Sequence, residues 1–295
     1  MVAFNLEPRS NRLFYVTTVF AESSDPTAAG EKKWERKHHK LTAYNGYEAY
    51  LGARPLDDPG NWIAGPRNDL GDAEFERLLK TMTRIPDEYI YPVFEGHLTE
   101  FDPVTSAEHG YFLKKPNIGV HEENELVAKL AMAEARTNEA LLMHPHPNLG
   151  TYLGCIVHKG RLVGLAFPRH VETLSERMDR ARKTRSCQFT IDQGQVWMDS
   201  IQSAARHLNS LGYAHNDISA CNIMFDRNDV PVLIDLDSCT PLGEKLAKGG
   251  VVGGWRGPLN SQEEFKESSV ECDELSIRFV RAWLVDEFSR VGKDK

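Results

Sequence analysis

The stretch His215-Asn216-Asp217-Ile218-Ser219-Ala220-Cys221-Asn222 constrains what this chain can fold into more than any other. Upstream of it, Gln195 to Leu211 carries Trp197, Ile201, Ala204, Leu208 and Leu211 on one stripe, which predicts an amphipathic helix. Downstream, the runs Ile223–Phe225 and Val230–Ile234 flank Asp226 to Asp229, and the composition of that short link predicts a tight hairpin. An antiparallel hairpin brings its two open ends side by side. Asn222 opens one strand and Asp235 closes the other, so the two should converge. An amide oxygen and a carboxylate placed together suit a hard cation such as Mg²⁺. Asp217, on the loop leaving the helix, faces the same cleft and is placed to accept a proton from a hydroxyl beside a bound nucleotide.

The rest of the chain supplies the frame. Leu13 to Phe20 is a run of strand formers, whereas Glu22 to Lys40, rich in Ser, Lys, Glu and His, reads as flexible or solvated. Residues 41–80 mix Tyr44, Tyr47, Tyr50 and Trp62 with Pro and Gly turns, and Asp72 to Met82 reads as a short helix. Tyr89–Phe94 and Gly110–Lys114 read as strands on either side of an irregular loop. Glu122 to Met143 reads as a long helix with Leu126, Leu130, Ala133, Thr137 and Leu141 on one face. Two strands follow, Thr151–Val157 and Arg161–Phe167, joined by His158-Lys159-Gly160. Glu271 to Phe288 reads as a helix apolar on most sides, and therefore buried. Strands first and helices after, with a long linking helix, predict an α+β fold in two lobes of unequal character.

Composition narrows the function. The 295 residues are 41% hydrophobic and 26% charged, a globular balance that allows one large domain or two small ones. A net charge of −8 argues against a general nucleic-acid or anionic-membrane binder. Cys155, Cys187, Cys221, Cys239 and Cys272 form an odd set with no C-x-x-C pair, so neither a disulfide framework nor a zinc ribbon is expected. Reduced thiols fit the cytoplasm or nucleus. Met1 to Arg12 lacks an apolar core and carries Glu7, so no secretory leader is expected. No stretch approaches the roughly 18 apolar residues of a membrane helix.

His215-Asn216-Asp217 followed by Asn222 resembles the catalytic loop of the protein-kinase-like superfamily, H-R-D-x-x-x-x-N, and Asp235-Leu236-Asp237 falls where D-F-G falls. Tyr111-Phe112-Leu113-Lys114 resembles V-A-I-K, with Lys115 as the rival lysine. His146-Pro147-Asn148-Leu149 is similar to the H-P-N-I that follows the next helix, and this outweighs a metal site at His144 and His146. Arg84-Ile85-Pro86, Tyr91-Pro92, Tyr152-Leu153-Gly154-Cys155 and Ile234-Asp235-Leu236-Asp237-Ser238 look like divergent fungal serine/threonine protein-kinase-like proteins. The resemblance spans about residues 84–288 and leaves 1–83 as an N-terminal extension of unknown role.

The resemblance implies a bilobal fold with a β-rich small lobe over about 84–167 and a mainly helical, truncated large lobe over about 172–295. It implies ATP and Mg²⁺, with Asp217 as base, Asn222 and Asp235 on the metal, and Lys114 on the phosphates. Glu134 is the expected lysine partner, with Glu139 the alternative. Phe167 would be a gatekeeper, and Pro168 to Val171, including Arg169, the hinge that receives adenine. Asp273 would anchor the catalytic-loop backbone rather than take part in chemistry.

The departures are specific. Gly96 is the only glycine from Phe94 to His109, so no G-x-G-x-x-G precedes Lys114. Asn216 replaces the loop arginine and Asp237 replaces the glycine of D-F-G, as a further metal carboxylate or a plain polar substitution. Gly249 to Trp255 reads as a mobile activation-type segment, and Arg256-Gly257-Pro258 does not make an A-P-E. The expected function is phosphoryl transfer from ATP to a protein Ser/Thr hydroxyl. The alternatives are a small-molecule phosphotransferase of the aminoglycoside- or choline-kinase type and a non-catalytic kinase-like binding module. Lys248 to Val270 is the one candidate peptide platform, and no acidic helical insertion is visible.

Overall fold

The computed structural model describes residues 12–22, 34–58, 65–66, 70–102, 110–121, 124–253 and 263–293. It is a mixed α/β structure in which every strand pairing within the sheets is antiparallel. The N-terminal part is a five-stranded sheet. Its strands are β1 (Arg12–Glu22), β2 (Trp34–Asn45), β3 (Glu48–Arg54), β4 (Gly65–Pro66) and β5 (Thr83–Ile85), in the order β4-β1-β2-β3-β5. Helix α1 (Asp72–Leu79) buries Phe75 and Leu79 against Phe14, Val16 and Leu41.

The expected solvated segment Glu22 to Lys40 is corrected in part. Trp34 to Lys40 belongs to β2, where its backbone pairs with β1 up to Trp34 opposite Glu22. Charged side chains do not prevent a strand when the ladder satisfies the backbone and one face stays wet. Residues 23–33, and Trp62, lie outside the described residues.

A three-stranded sheet follows, in the order β6 (Tyr111–Lys114), β8 (Arg161–Pro168), β7 (Gly154–His158). Lys159 and Gly160 turn the β7–β8 hairpin with φ of 50° and 73°, the left-handed pair that matches strand twist. The expected strand Tyr89–Phe94 is instead a short helix, α2 (Asp87–Ile90), followed by a single bridge from Val93 to Arg161. Pro86 with acidic Asp87 and Glu88 makes a good helix start, and Pro92 cannot donate to a ladder.

Helix α3 (Leu126–Leu141) forms within the expected range but turns a different face inward. Its buried residues are Val127, Ala128, Met132, Glu134, Ala135, Asn138 and Leu141, while Ala133 is exposed. A face that carries Glu134 and Asn138 looks polar to a hydrophobic-period reading, which therefore favours the neighbouring stripe.

The remaining elements are β9 (Glu172–Thr173), α4 (Leu174–Thr184), α5 (Ile191–Ser210), β10 (Tyr213–Ala214), β11 (Ile223–Phe225), β12 (Pro231–Leu233), β13 (Thr240–Pro241) and α6 (Val270–Lys293). Thr173 opens α4 with a capping box closed by Glu176, and Thr190 caps α5 through Gln193 N–H. These helices and the β11–β12 hairpin share one core built on Leu174, Met178, Met198, Ile201, Phe225 and Leu284. Helix α6 is amphipathic rather than apolar on most sides. Cys272, Ile277, Val280, Trp283 and Leu284 are buried, while Glu274, Arg278, Val285 and Asp286 are exposed.

A second core lies between the β6–β8–β7 sheet and the N-terminal sheet. Tyr44 and Ala49 pack there with Ile85, Tyr111, Leu113 and Ile118. Residues before and after position 84 therefore share buried surface.

Candidate active site

The loop after α5 is fixed from beneath by α6. Asp273 accepts hydrogen bonds from His215 N–H (3.0 Å), Asn216 N–H (2.9 Å) and Asn209 Nδ2 (3.2 Å). It is 1% exposed, and burial raises its pKa despite those donors. Asn216 is left-handed at φ 61°, a conformation asparagine tolerates. Its Nδ2 donates to Ala214 O (2.8 Å), Ser238 O (3.1 Å) and Ser268 Oγ (3.0 Å). Asn216 is thus a buried cross-brace between this loop, the D-L-D turn and the chain before α6.

These braces set the direction of the next residues. Asp217 N–H donates to His215 Nδ1 (3.3 Å), and His215 Nε2 lies 3.0 Å from Ile234 O. Asn222 Nδ2 donates to Asp217 O (2.8 Å) and Asp217 Oδ2 (3.1 Å). Register places Ile223 opposite Leu233, and Ile234 N–H donates to Asn222 O (2.9 Å). The hairpin geometry expected from the sequence therefore brings Asn222 beside the residue preceding Asp235. Asp235 itself is left-handed, with φ 71° and ψ 76°, and starts a 3-10 turn over Leu236–Ser238.

Lys114 Nζ sits 2.5 Å from Glu134 Oε1, 2.5 Å from Asp235 Oδ1 and 3.7 Å from Asp237 Oδ2. Burial opposes the charge of Lys114, but Glu134 and Asp235 outweigh it and hold the ammonium protonated. Burial raises Glu134 in spite of Lys114. Burial would also raise Asp235, but the Lys114 contact reverses that and holds it low. Burial raises Asp217, with Asp235 and Asp237 adding to the effect. Lys248 Nζ contacts Asp237 Oδ2 directly.

The alternatives resolve by direction. Glu139 accepts from Thr99 N–H (2.9 Å) and Thr99 Oγ1 (2.8 Å), so it ties a loop to α3. Lys115 points away from the cluster, donating to Gly46 O (2.5 Å) with its ammonium 4.6 Å from the Tyr44 ring centre. His146 Nε2 lies 3.1 Å from Ser203 Oγ, its ring stacks on His207, and Asn148 N–H donates to its Nδ1. That is the hydrogen bonding of a turn.

A cleft of about 330 Å³ opens beside this cluster. Phe112, Lys114, Phe167, Arg169, Met224 and Asp235 line it, within the size range of small-ligand sites. Within the expected hinge, Pro168 has no N–H and Val171 N–H donates to Phe225 O (2.7 Å), so neither offers a donor to a ligand. Asn117 and Val120 share a smaller pocket with Lys114, Glu134, Asp237 and Lys248, while Gly254 to Gln262, including Trp255 and Arg256-Gly257-Pro258, lie outside the described residues.

Sequence reasoning missed Lys248 and the cleft residues Thr151, Ser175, Cys221 and Met224. Lys248 adjoins a glycine run whose pattern predicts only a mobile segment, and nothing in its spacing marks it as an acid partner. Among the described residues no group of three or more His, Cys, Asp or Glu is arranged to hold a metal, and no helix is long and apolar enough to cross a membrane. The chain matches no protein-family model and no curated protein.

Proposed function

We propose that the chain is an ATP-dependent phosphotransferase with a two-lobed, protein-kinase-like build, acting on a protein Ser/Thr hydroxyl. The observation that carries this reading is the meeting beside one cleft of Lys114, its partner Glu134 and Asp235, with Asp217, held by Asn222, close enough for Asp235 to act on its charge. The separate cores around the β6–β8–β7 sheet and around α4–α6 support two lobes, with adenine in the cleft that Phe112 and Met224 line.

Asn222 and Asp235 would hold Mg²⁺. The fit rests on the donor set: Asn222 spends its NH₂ on Asp217, which leaves its amide oxygen as the donor to a hard cation. Two protein ligands suffice for Mg²⁺, which keeps waters and substrate phosphates in its shell. The ion would supply charge neutralisation for the phosphates.

This chain's residues do the rest. Lys114, oriented by Glu134, holds phosphate oxygens. Asp217 accepts the proton of the acceptor hydroxyl, whose oxygen bonds to the γ-phosphorus as the bond to the β–γ bridging oxygen breaks and its electron pair leaves with ADP. Lys245 opposite Glu267 and Val251 opposite Glu264 are antiparallel bridges on either side of Lys248 in sequence, and this ordered extended segment supports a peptide platform over a closed small-molecule pocket.

The test is turnover of MgATP by purified protein against a peptide library and a small-molecule panel, with Asp217→Asn as control. We expect weak nucleotide binding, on the order of 0.1–1 mM, because no glycine-rich loop covers the phosphates. No binding at millimolar MgATP overturns the proposal. Turnover confined to the small-molecule panel replaces the protein substrate with a soluble one.

A further inference from the structure

Lys248 is the one ammonium besides Lys114 brought into the acidic cluster among the described residues. Both approach the same atom: Lys248 contacts Asp237 Oδ2, and Lys114 lies 3.7 Å from it. The Lys248 side chain is 34% exposed, against 17% for Lys114, so it reaches in from the open side.

The backbone fixes this approach. Gly249 and Gly250 are left-handed, with φ of +81° and +79°. A Cβ on Gly249 would lie 2.8 Å from Asn216 O, and one on Gly250 would lie 2.3 Å from Phe265 O. Gly250 N–H donates to that same Asn216 O at 2.7 Å. Only glycine allows backbone this close to the residue preceding Asp217. The consequence is that Lys248 is tethered one residue from the catalytic loop, on a long flexible stem.

The centre needs such a cation. Glu134, Asp217, Asp235 and Asp237 face Lys114 and Lys248. An entering polyphosphate meets like charge in that setting, and the chain has no glycine-rich turn between Phe94 and His109 to offer backbone N–H groups. We infer that Lys248 is a second phosphate-binding cation, held on Asp237 until a nucleotide arrives and then transferred to the oxygens of the transferred phosphoryl group. This rests on the phosphotransferase reading above. Charge placed on those oxygens acts where the transition state is negative.

The experiment is calorimetry and turnover on the full chain with MgATP and with adenosine, comparing wild type, Lys248→Met, Lys248→Arg and the double variant Asp237→Asn/Lys248→Met, each checked by thermal melt. Lys248→Met is expected to weaken MgATP binding about tenfold, to lower turnover at least as much, and to leave adenosine binding unchanged. Lys248→Arg should recover most of the loss. The double variant, which also removes the charge of Asp237, should recover melting temperature but not MgATP affinity. Recovery of MgATP affinity in the double variant would reduce Lys248 to a neutralising partner of Asp237 and overturn the inference. So would a folded Lys248→Met that binds and turns over MgATP within about twofold of wild type. Wild-type protein that binds no MgATP overturns the phosphotransferase reading itself, a result distinct from either.

Discussion

At the scale of single residues, the carboxylates of the cleft differ in surroundings and should differ in role. Asp235 is held ionised by Lys114, whereas Asp217 is raised by burial and accepts a hydrogen bond from Asn222. Asp235→Asn should therefore weaken metal-dependent nucleotide binding, while Asp217→Asn should spare binding and lower turnover, by about 10²–10⁴ for a lost general base. Calorimetry beside steady-state kinetics separates the two, and equal loss of nucleotide affinity in both variants would contradict separate roles. Lys115 gives a pH prediction. Burial lowers its pKa from 10.5 to about 8, so between those values the unfolded chain binds more protons than the folded one. Stability contributed by this site then rises as pH rises through that window. The gain in melting temperature from Lys115→Met should be largest near neutral pH and shrink toward pH 10, as followed by paired melts.

At the scale of elements, α6 holds the loop after α5 through one buried side chain. Asp273→Ala leaves His215 N–H, Asn216 N–H and Asn209 Nδ2 without their acceptor, at about 1–3 kcal/mol for each donor that stays buried. Asp217→Ala removes a raised carboxylate from an acid-rich cleft and should cost less. Melts without nucleotide decide this; a lower melting temperature for Asp217→Ala than for Asp273→Ala reverses the structural and catalytic assignments. The glycine pair after Lys248 is equally local. Gly250→Ala combines a left-handed φ with a 2.3 Å clash against backbone, so it should destabilise by at least about 1–3 kcal/mol in urea denaturation. An unchanged midpoint would mean that segment is not held on the loop.

At the scale of the whole molecule, the N-terminal sheet is part of the frame behind Lys114. Tyr44 is 1% exposed, packs with Tyr111 and Leu113, and donates to Pro116 O at 2.8 Å. Lys40 Nζ donates to Gly119 O (2.8 Å) and His121 O (3.1 Å) in the connection that leads to α3. Tyr44→Ala should then cost about 3–5 kcal/mol, as large aromatic deletions in cores do, and should loosen nucleotide binding because β6 carries Lys114. A protein lacking residues 1–82 that melts like the full chain would show instead that the sheet is an independent appendage.

The sequence by itself determined the elements whose periods are strong and the loop whose spacing is tight. Helix α5, the β11–β12 hairpin and the convergence of Asn222 on the end of that hairpin follow from local pattern, whereas the anchoring role of Asp273 in the first turn of α6 comes only from the family resemblance. Local pattern could not determine which face of α3 turns inward, because Glu134 enters the interior only through the ion pair with Lys114, twenty residues away. Nor could it choose Lys114 over Lys115, since neighbours on a strand point to opposite faces and only the N-terminal sheet decides which face is which. Lys248 was the least legible of all. Its place depends on glycine backbone lying against Asn216, a contact between segments distant in sequence that no periodicity encodes. Charges meeting across distant segments are set by packing, and packing is what the tertiary structure alone decides.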